Sequence, residues 1–461
     1  MDYPIWNLSM GGGVLIGFVS ILHVIVSHFA VGGGIAIAIL ETLSVKRGDR
    51  SLRDLAKRSS LMLILVSTVF GAISGVGIWV TIGLVQPAAT SALIHTFVWG
   101  WAAEWAFFVL EVVMALAYYA TWEKVSKQTH LLLIWLYAFA AYMSLVIIQG
   151  IIAFMLTPGR WLETRSFMDG FFNPTYLPGL VYRTGICLLL AGAYLTFAAF
   201  REKDRAARAR IMRFLAGFEV VGVLVAFAGF RWWEAALPVN VRSLFLGANP
   251  ILASLAATRP LVLWGLAGVL LIGVIVLLLP RAQVVPLAVV SFLLAAGSFG
   301  GYERLREGSR KPFIIRDYMF SNGILVSEIP GLNEKGVLSK AIWAAHDAGP
   351  TPTPEMTGRA VFRAQCAACH TLDHYLSIRK LTEPMDVDFA TLFLDELKKD
   401  GSAYRDVGPG KPGPAMAAVP SYPMMAPFVG TDAERDALAA YLVSLKGAPK
   451  VAASKESPDA H

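Results

Sequence analysis

Apolar residues dominate the first 300 positions in long blocks broken by short polar loops, and the pattern then stops. A helix needs about 20 consecutive apolar residues to cross the hydrocarbon core of a bilayer. Eight blocks meet that length, at roughly 12–40, 60–85, 97–120, 131–157, 178–200, 214–238, 259–280 and 284–301. The pattern predicts an all-α fold: residues 1–301 form a polytopic transmembrane helix bundle of about eight spans. Residues 302–349 read as a polar connector with scattered aromatics. Residues 350–447 read as a small soluble α-helical domain, and 448–461 as a flexible tail of small and polar residues. No internal repeat is visible.

Composition agrees with this division. The chain is 56% hydrophobic and 16% charged, well below the quarter or so of charged residues in average soluble domains. Its net charge of +7 is unevenly spread. Residues 350–461 hold 12 basic and 14 acidic side chains, so the positive excess belongs to the membrane part and its loops. That placement makes the basic balance a topology signal and argues against a nucleic-acid partner. Lys46, Arg47, Arg50, Arg53, Lys57 and Arg58 follow the first block, and Arg201 to Arg213 supplies six more after the fifth. Loops on the other side carry only Arg160, Arg165, Arg242 and Arg259. By the positive-inside rule both termini face the periplasm of a bacterial inner membrane. The first block is too long for a signal-peptide core and lacks a basic leader, so no cleavable signal is expected.

Three cysteines exclude a disulfide framework, and two of them share one motif, Cys366-Ala367-Ala368-Cys369-His370. C-x-x-C-H is the attachment signature of a c-type heme. Two thiols one helical turn apart can each bond a porphyrin vinyl group, and the adjacent His ligates the iron. A bare C-x-x-C would equally suit a redox dithiol or zinc, but the trailing His and the missing second C-x-x-C favour heme. A second axial ligand is then expected downstream, where Tyr422-Pro423-Met424-Met425-Ala426-Pro427-Phe428 lies. Thioether ligation raises the reduction potential, as suits an electron carrier. Met425 is favoured, with Met424 and Met416 as alternatives; His374 reads as structural or solvated. Gly430-Thr431-Asp432-Ala433-Glu434 contains a T-x-x-E capping box before an apolar-striped helix from Arg435 to Leu445.

Ionisable residues inside the predicted spans form the second candidate set, because each costs about 2.5–3.5 kcal/mol at the bilayer centre. They are His23, His28, Glu104, Glu111 and Arg183, with His95 just ahead of the third block. Glu104 and Glu111 are seven apart, on one helical face and ~10.5 Å apart along the axis. His23 and His28 are five apart and point in different directions, so they cannot share one iron. Heme ligation or proton relay is the functional reading; hydrogen bonding between helices is the plain one. Cys187 and His130 read as packing and structural residues, and Trp99, Trp101, Trp105, Trp232 and Trp233 as an interfacial belt.

Two resemblances sharpen these readings. Gly358 and Phe362 ahead of the heme motif, with Met425-Ala426-Pro427-Phe428 after it, are similar to class I cytochromes c. The insert of about 30 residues between His374 and Val407-Gly408-Pro409 departs from that compact pattern. In the membrane part, His23 with Glu41-Thr42 and Gly48, the run Phe97 to Glu111, and Phe154-Met155-Leu156-Thr157-Pro158 resemble cytochrome bd quinol oxidase subunit I. Arg306-Glu307-Gly308-Ser309-Arg310-Lys311-Pro312-Phe313 resembles that family's motif after the last span. The resemblance implies that His23, Glu104 and Glu307 bind b-type heme and that Glu111 serves proton delivery. Two departures stand out. Arg183 occupies the place of the family's low-spin heme His, and residues 239–258 are too short for its quinol loop, which leaves quinol in doubt as a substrate.

The combined expectation is a membrane electron-transfer hemoprotein. Its cofactors are one covalent heme c, on Cys366 and Cys369 with His370 and Met425 axial, and one or two b hemes. The metal-ligating candidates are His370, Met425, His23 and Glu104; Glu104 and Glu111 are the catalytic candidates. Expected partners are membrane lipid, a periplasmic cytochrome or other redox protein, and a second membrane subunit. The alternative is a bd-like terminal oxidase fed through its own cytochrome c domain, and the blandest reading is a bundle that tethers that domain.

Overall fold

The computed structural model describes residues 5–246, 253–402 and 424–446. The all-α expectation holds. Among the described residues, eight helices are long and apolar enough to cross a membrane: α1 (Gly12–Arg47), α2 (Arg50–Val85), α3 (Val98–Ala120), α4 (Lys127–Phe154), α5 (Tyr176–Ala199), α6 (Arg205–Ala236), α7 (Ala253–Leu278) and α8 (Val285–Arg310). Seven residues of α2, Leu65–Gly71, form a π-helical stretch. Several helices overrun the apolar blocks that predicted them. α1 runs to Arg47, α2 starts at Arg50 and α6 at Arg205, because polar turns extend past the hydrocarbon-length core.

Local chemistry sets these ends. Gly48 closes α1 in the left-handed conformation, with φ 66°. Asp49 then opens α2 by accepting hydrogen bonds from the amides of Ser51 and Leu52. Asp204 caps α6 in the same way through Ala206 and Ala207, and Ser126 caps α4 through Thr129.

α1 is the central helix, packed on α2, α4 and α5, while α3–α4, α5–α6 and α7–α8 form antiparallel pairs. Small residues permit the closest crossings, as in most membrane bundles. A Cβ on Gly32 of α1 would lie 1.9 Å from the carbonyl oxygen of Cys187 on α5, so Gly32 serves helix contact. Gly185 and Gly222 bring α5 and α6 together backbone to backbone. Trp233 leaves the expected interfacial belt: it is buried among Phe230, Phe245 and Tyr302.

Beyond α8, a short hairpin of β1 (Phe313–Ile315) and β2 (Met319–Phe320) leads into the C-terminal domain. Its helices are α9 (Pro354–Gln365), α10 (Ile378–Thr382), α11 (Val387–Ser402) and α12 (Asp432–Ser444). Phe313, Phe320, Ile324, Leu332 and Val337 share one core with Phe362, Leu438 and Leu442, so the segment after α8 folds onto these helices. Glu434 locks the union. Its carboxylate accepts from the amides of Val337 (2.8 Å), Leu338 (3.0 Å) and Thr431 (3.2 Å). Thr431 Oγ1 in turn accepts from the Glu434 amide, completing the capping box read from the sequence.

Candidate functional site

The Cys366 to His370 motif closes the end of α9. Cys369 and His370 donate their amides to the Cys366 carbonyl at 3.0 and 2.9 Å, which winds the motif into one turn. α9 is held against α12 at Gly358, where a Cβ would stand 2.1 Å from the Ala437 carbonyl oxygen. Both thiols are free, and burial pushes the Cys366 thiol up to about 12, helped by Cys369 beside it. His370 Nδ1 donates to the Leu376 carbonyl at 3.0 Å. That bond fixes the tautomer and leaves Nε2 with its lone pair, the form an iron ligand needs. Burial, partly offset by this bond, holds the imidazole below its ordinary pKa and so keeps it neutral.

The methionine arm is tied back by Gln365, the residue before Cys366. Its Nε2 donates to the Val429 carbonyl at 2.7 Å, and the Val429 amide donates to its Oε1 at 3.0 Å. Met425 packs against the same core as Cys366 and Ala367. Met416 and Val407-Gly408-Pro409 lie outside the described residues. His374 donates its amide to Thr371 Oγ1. Among the described residues no group of three or more His, Cys, Asp or Glu side chains converges as a metal site, so the thiols have no zinc-type donor set around them. Thiols, oriented imidazole and thioether together fit a c-type heme.

Inside the bundle the candidates separate into two environments. His23 is half-buried on α1, with Nδ1 3.0 Å from Ser74 Oγ on α2. Ser74 spends its own hydrogen on the Phe70 carbonyl at 2.5 Å, so His23 Nδ1 is the donor and Nε2 keeps its lone pair. Gly75 leaves room beside the ring; a Cβ there would meet His23 Cε1 at 3.3 Å. Glu104 is half-buried and, among the described residues, makes no hydrogen bond or ion pair. Glu111 accepts from Tyr137 Oη at 3.2 Å. His23 and Glu104 therefore retain donor capacity that fits heme iron.

His28 does not. Its Nδ1 donates to the Val24 carbonyl at 2.6 Å, and its Nε2 accepts from Arg183 Nη1 at 3.2 Å. Arg183 is fully buried and pairs through Nη2 with Glu303 at 2.5 Å. Glu303 also holds Arg306 at 3.1 Å, and Arg306 reaches Glu307 at 2.8 Å. Glu307 closes the chain on Arg310. Glu307, 42% exposed, is thus joined to the His28 side, and no bond among the described residues links it to His23 or Glu104. Sequence reasoning missed Glu303, because it fell just past the predicted end of the last span; its spacing of three from Arg306 was the available signal. Phe299 and Tyr302 stack around the Arg183 guanidinium. A second His-ligated heme does not fit at Arg183, where ion pairs and rings fill the space.

Eight membrane-crossing helices carrying spare imidazole and carboxylate donors, joined to a small helical domain with thiol, imidazole and thioether donors, define a multi-pass respiratory hemoprotein of the oxidoreductase type. Residues 14–236 match the family model for cytochrome bd terminal oxidase subunit I, and residues 356–446 match that for cytochrome c. The chain thus joins a cytochrome bd subunit I-like membrane domain to a cytochrome c domain. A solved structure of bd oxidase from Geobacillus thermodenitrificans aligns with a TM-score of 0.58, over 66% of this chain and 88% of that one. At 15% identity this likeness carries the fold alone. No curated protein matches.

Proposed function

We propose that this protein passes electrons between a covalent c-type heme outside the membrane and b-type heme inside it, as part of a respiratory chain. Cys366 and Cys369 attach the first, His370 and Met425 bind its iron, and His23 holds the b heme, with Glu104 as the candidate for a second. Heme supplies the one-electron chemistry at both places. One observation carries the reading. Thr371, directly after His370, packs on Gly11 at the mouth of α1; a Cβ on Gly11 would meet its Cγ2 at 3.1 Å. His23 lies twelve residues further along that same helix, ~18 Å down its axis. The attachment motif therefore sits over the helix that bears the membrane ligand.

The distribution of Lys and Arg supports periplasmic termini in a bacterial inner membrane, with the basic loops cytoplasmic. A periplasmic cytochrome or similar redox protein then meets the C-terminal domain directly. α3 presents Trp99 and Trp105, 76% and 65% exposed, to lipid or to a second membrane subunit. Heme extraction and pyridine hemochrome spectra test the assignment: both c-type and b-type heme are expected, and a purely c-type spectrum removes the membrane half. Uncommitted Glu104, on one helical face with Glu111, favours a second reading, oxygen reduction with electrons delivered through the cytochrome c domain. Carbon monoxide binding to the reduced protein and oxygen uptake with a c-type donor support it; a reduced spectrum unchanged by carbon monoxide excludes it.

A further inference from the structure

The segment that presents Met425 forms no helix or strand between Ala426 and Val429, so its backbone groups need partners elsewhere. Side chains supply them. Three successive amides, those of Val429, Gly430 and Thr431, donate to three different side-chain oxygens: Gln365 Oε1 at 3.0 Å, Asn333 Oδ1 at 3.0 Å and Glu434 Oε2 at 3.2 Å. Gln365 Nε2 also donates to the Val429 carbonyl at 2.7 Å, so one side chain grips both polar groups of one residue. Phe428 and Val429 are buried beside it. Met425 stands four residues before Val429, and four residues span at most ~14 Å. The fixed point therefore limits where the thioether can go.

Two of these anchors lead out of the cytochrome domain. Asn333 lies on a short helix of the connector, Ile329–Lys335, ahead of the residues that match the cytochrome c model. Glu434 holds the connector amides of Val337 and Leu338 with the carboxylate that holds Thr431. A Cβ on Gly336 would lie 2.6 Å from Glu434 Oε1, so this close approach needs a glycine there. Gln365 is reached as well: its carbonyl accepts from Nδ2 of buried Asn322 at 3.4 Å. Asn322 follows β2, and the hairpin is fixed just past the end of α4, where the Arg316 amide donates to the Met155 carbonyl at 2.9 Å. The arm that carries Met425 is thus fastened by the connector as much as by α9 and α12.

We propose that Asn333 and Gln365 are positioning residues for heme c: together they hold the Met425 arm so that its thioether stays on the iron and external ligands stay off it. The connector thereby completes a site whose attachment motif lies in the cytochrome domain. When one amide of the arm loses its acceptor, the fraction of molecules with the thioether released grows. The apparent affinity of an external ligand rises in proportion to that fraction. The proposal rests on the ligation by His370 and Met425 argued above.

Full-length oxidised holoprotein tests it, titrated with cyanide while the near-infrared charge-transfer band of methionine-ligated ferric heme is followed. Asn333→Leu and Gln365→Leu should each weaken that band and raise the cyanide affinity of heme c about tenfold, with covalent heme retained. The reduction potential of heme c should fall with the band, since thioether ligation is what raises it. Asn333→Asp keeps an oxygen for the Gly430 amide and should give wild-type readings. So should Lys340→Ala, which breaks the pair with Glu328 in the same connector without touching the arm. Asn333 is half-buried, so its variants carry the test if Gln365→Leu does not assemble. A wild-type band and cyanide affinity in Asn333→Leu would overturn the proposal, and so would equal loosening in Asn333→Asp or Lys340→Ala. Wild-type protein with covalent heme but no such band counts against Met425 as ligand instead.

Discussion

In α5–α8 the buried charges meet partners within the bundle. Arg183 is shared by His28 and Glu303, Glu234 is held by Arg231 and Arg259, and Glu219 accepts from Ser291 at 2.8 Å. In α1–α4, His23 keeps a free Nε2 and Glu104 makes no bond among the described residues. Each group is costly to immerse in lipid. The α5–α8 groups offset that cost against their partners, while His23 and Glu104 leave ligand-competent atoms over. Unspent bonding capacity, more than the presence of a His or Glu, marks where a cofactor belongs.

The largest expected effect concerns the covalent site. Cys366→Ala with Cys369→Ala should abolish heme staining after denaturing electrophoresis, while non-covalent heme stays extractable from the bundle; loss of both would merge two regions held here to be separate. Within the membrane, His23→Ala should remove most of the extractable heme and His28→Ala should retain it. The opposite result would reverse the contrast between the free and the paired imidazole.

Breaking the closed half should act on stability. Arg183→Leu strands the buried Glu303 carboxylate and should cost about 3–5 kcal/mol, read as a drop in the unfolding midpoint in detergent. Pairing it with Glu303→Leu should recover part of that loss with heme content unchanged. A smaller effect is expected outside the membrane. Glu434→Ala removes the acceptor of three amides and should destabilise the C-terminal domain by about 1–3 kcal/mol.

Features that depend on neighbouring residues in the chain were legible in advance. The eight apolar blocks, the C-x-x-C-H turn and the Thr431–Glu434 capping box each follow from spacing alone. What escaped depends on groups far apart in sequence. α8 continues nine residues beyond the predicted 301 because Arg306 and Arg310 pair with Glu303 and Glu307, and Glu303 also pairs with Arg183, 120 positions upstream. His130 reads as an isolated residue at a span end until Glu41, 89 positions away, is placed beside it. Likewise the polar segment after α8 gave no sign that Phe313 and Phe320 would enter the core of the C-terminal domain.

On the proposed function, iron porphyrin sits on both sides of the contact between Thr371 and the mouth of α1 and exchanges electrons across it. Rapid mixing of the oxidised holoprotein with an external one-electron donor, followed at wavelengths that separate c-type from b-type heme, tests this most directly. Reduction of heme c is expected first, then of b heme at a rate independent of protein concentration, with loss of the second phase in His23→Ala. A b-type signal that is absent, or that appears at the same rate when heme c is missing, would contradict it.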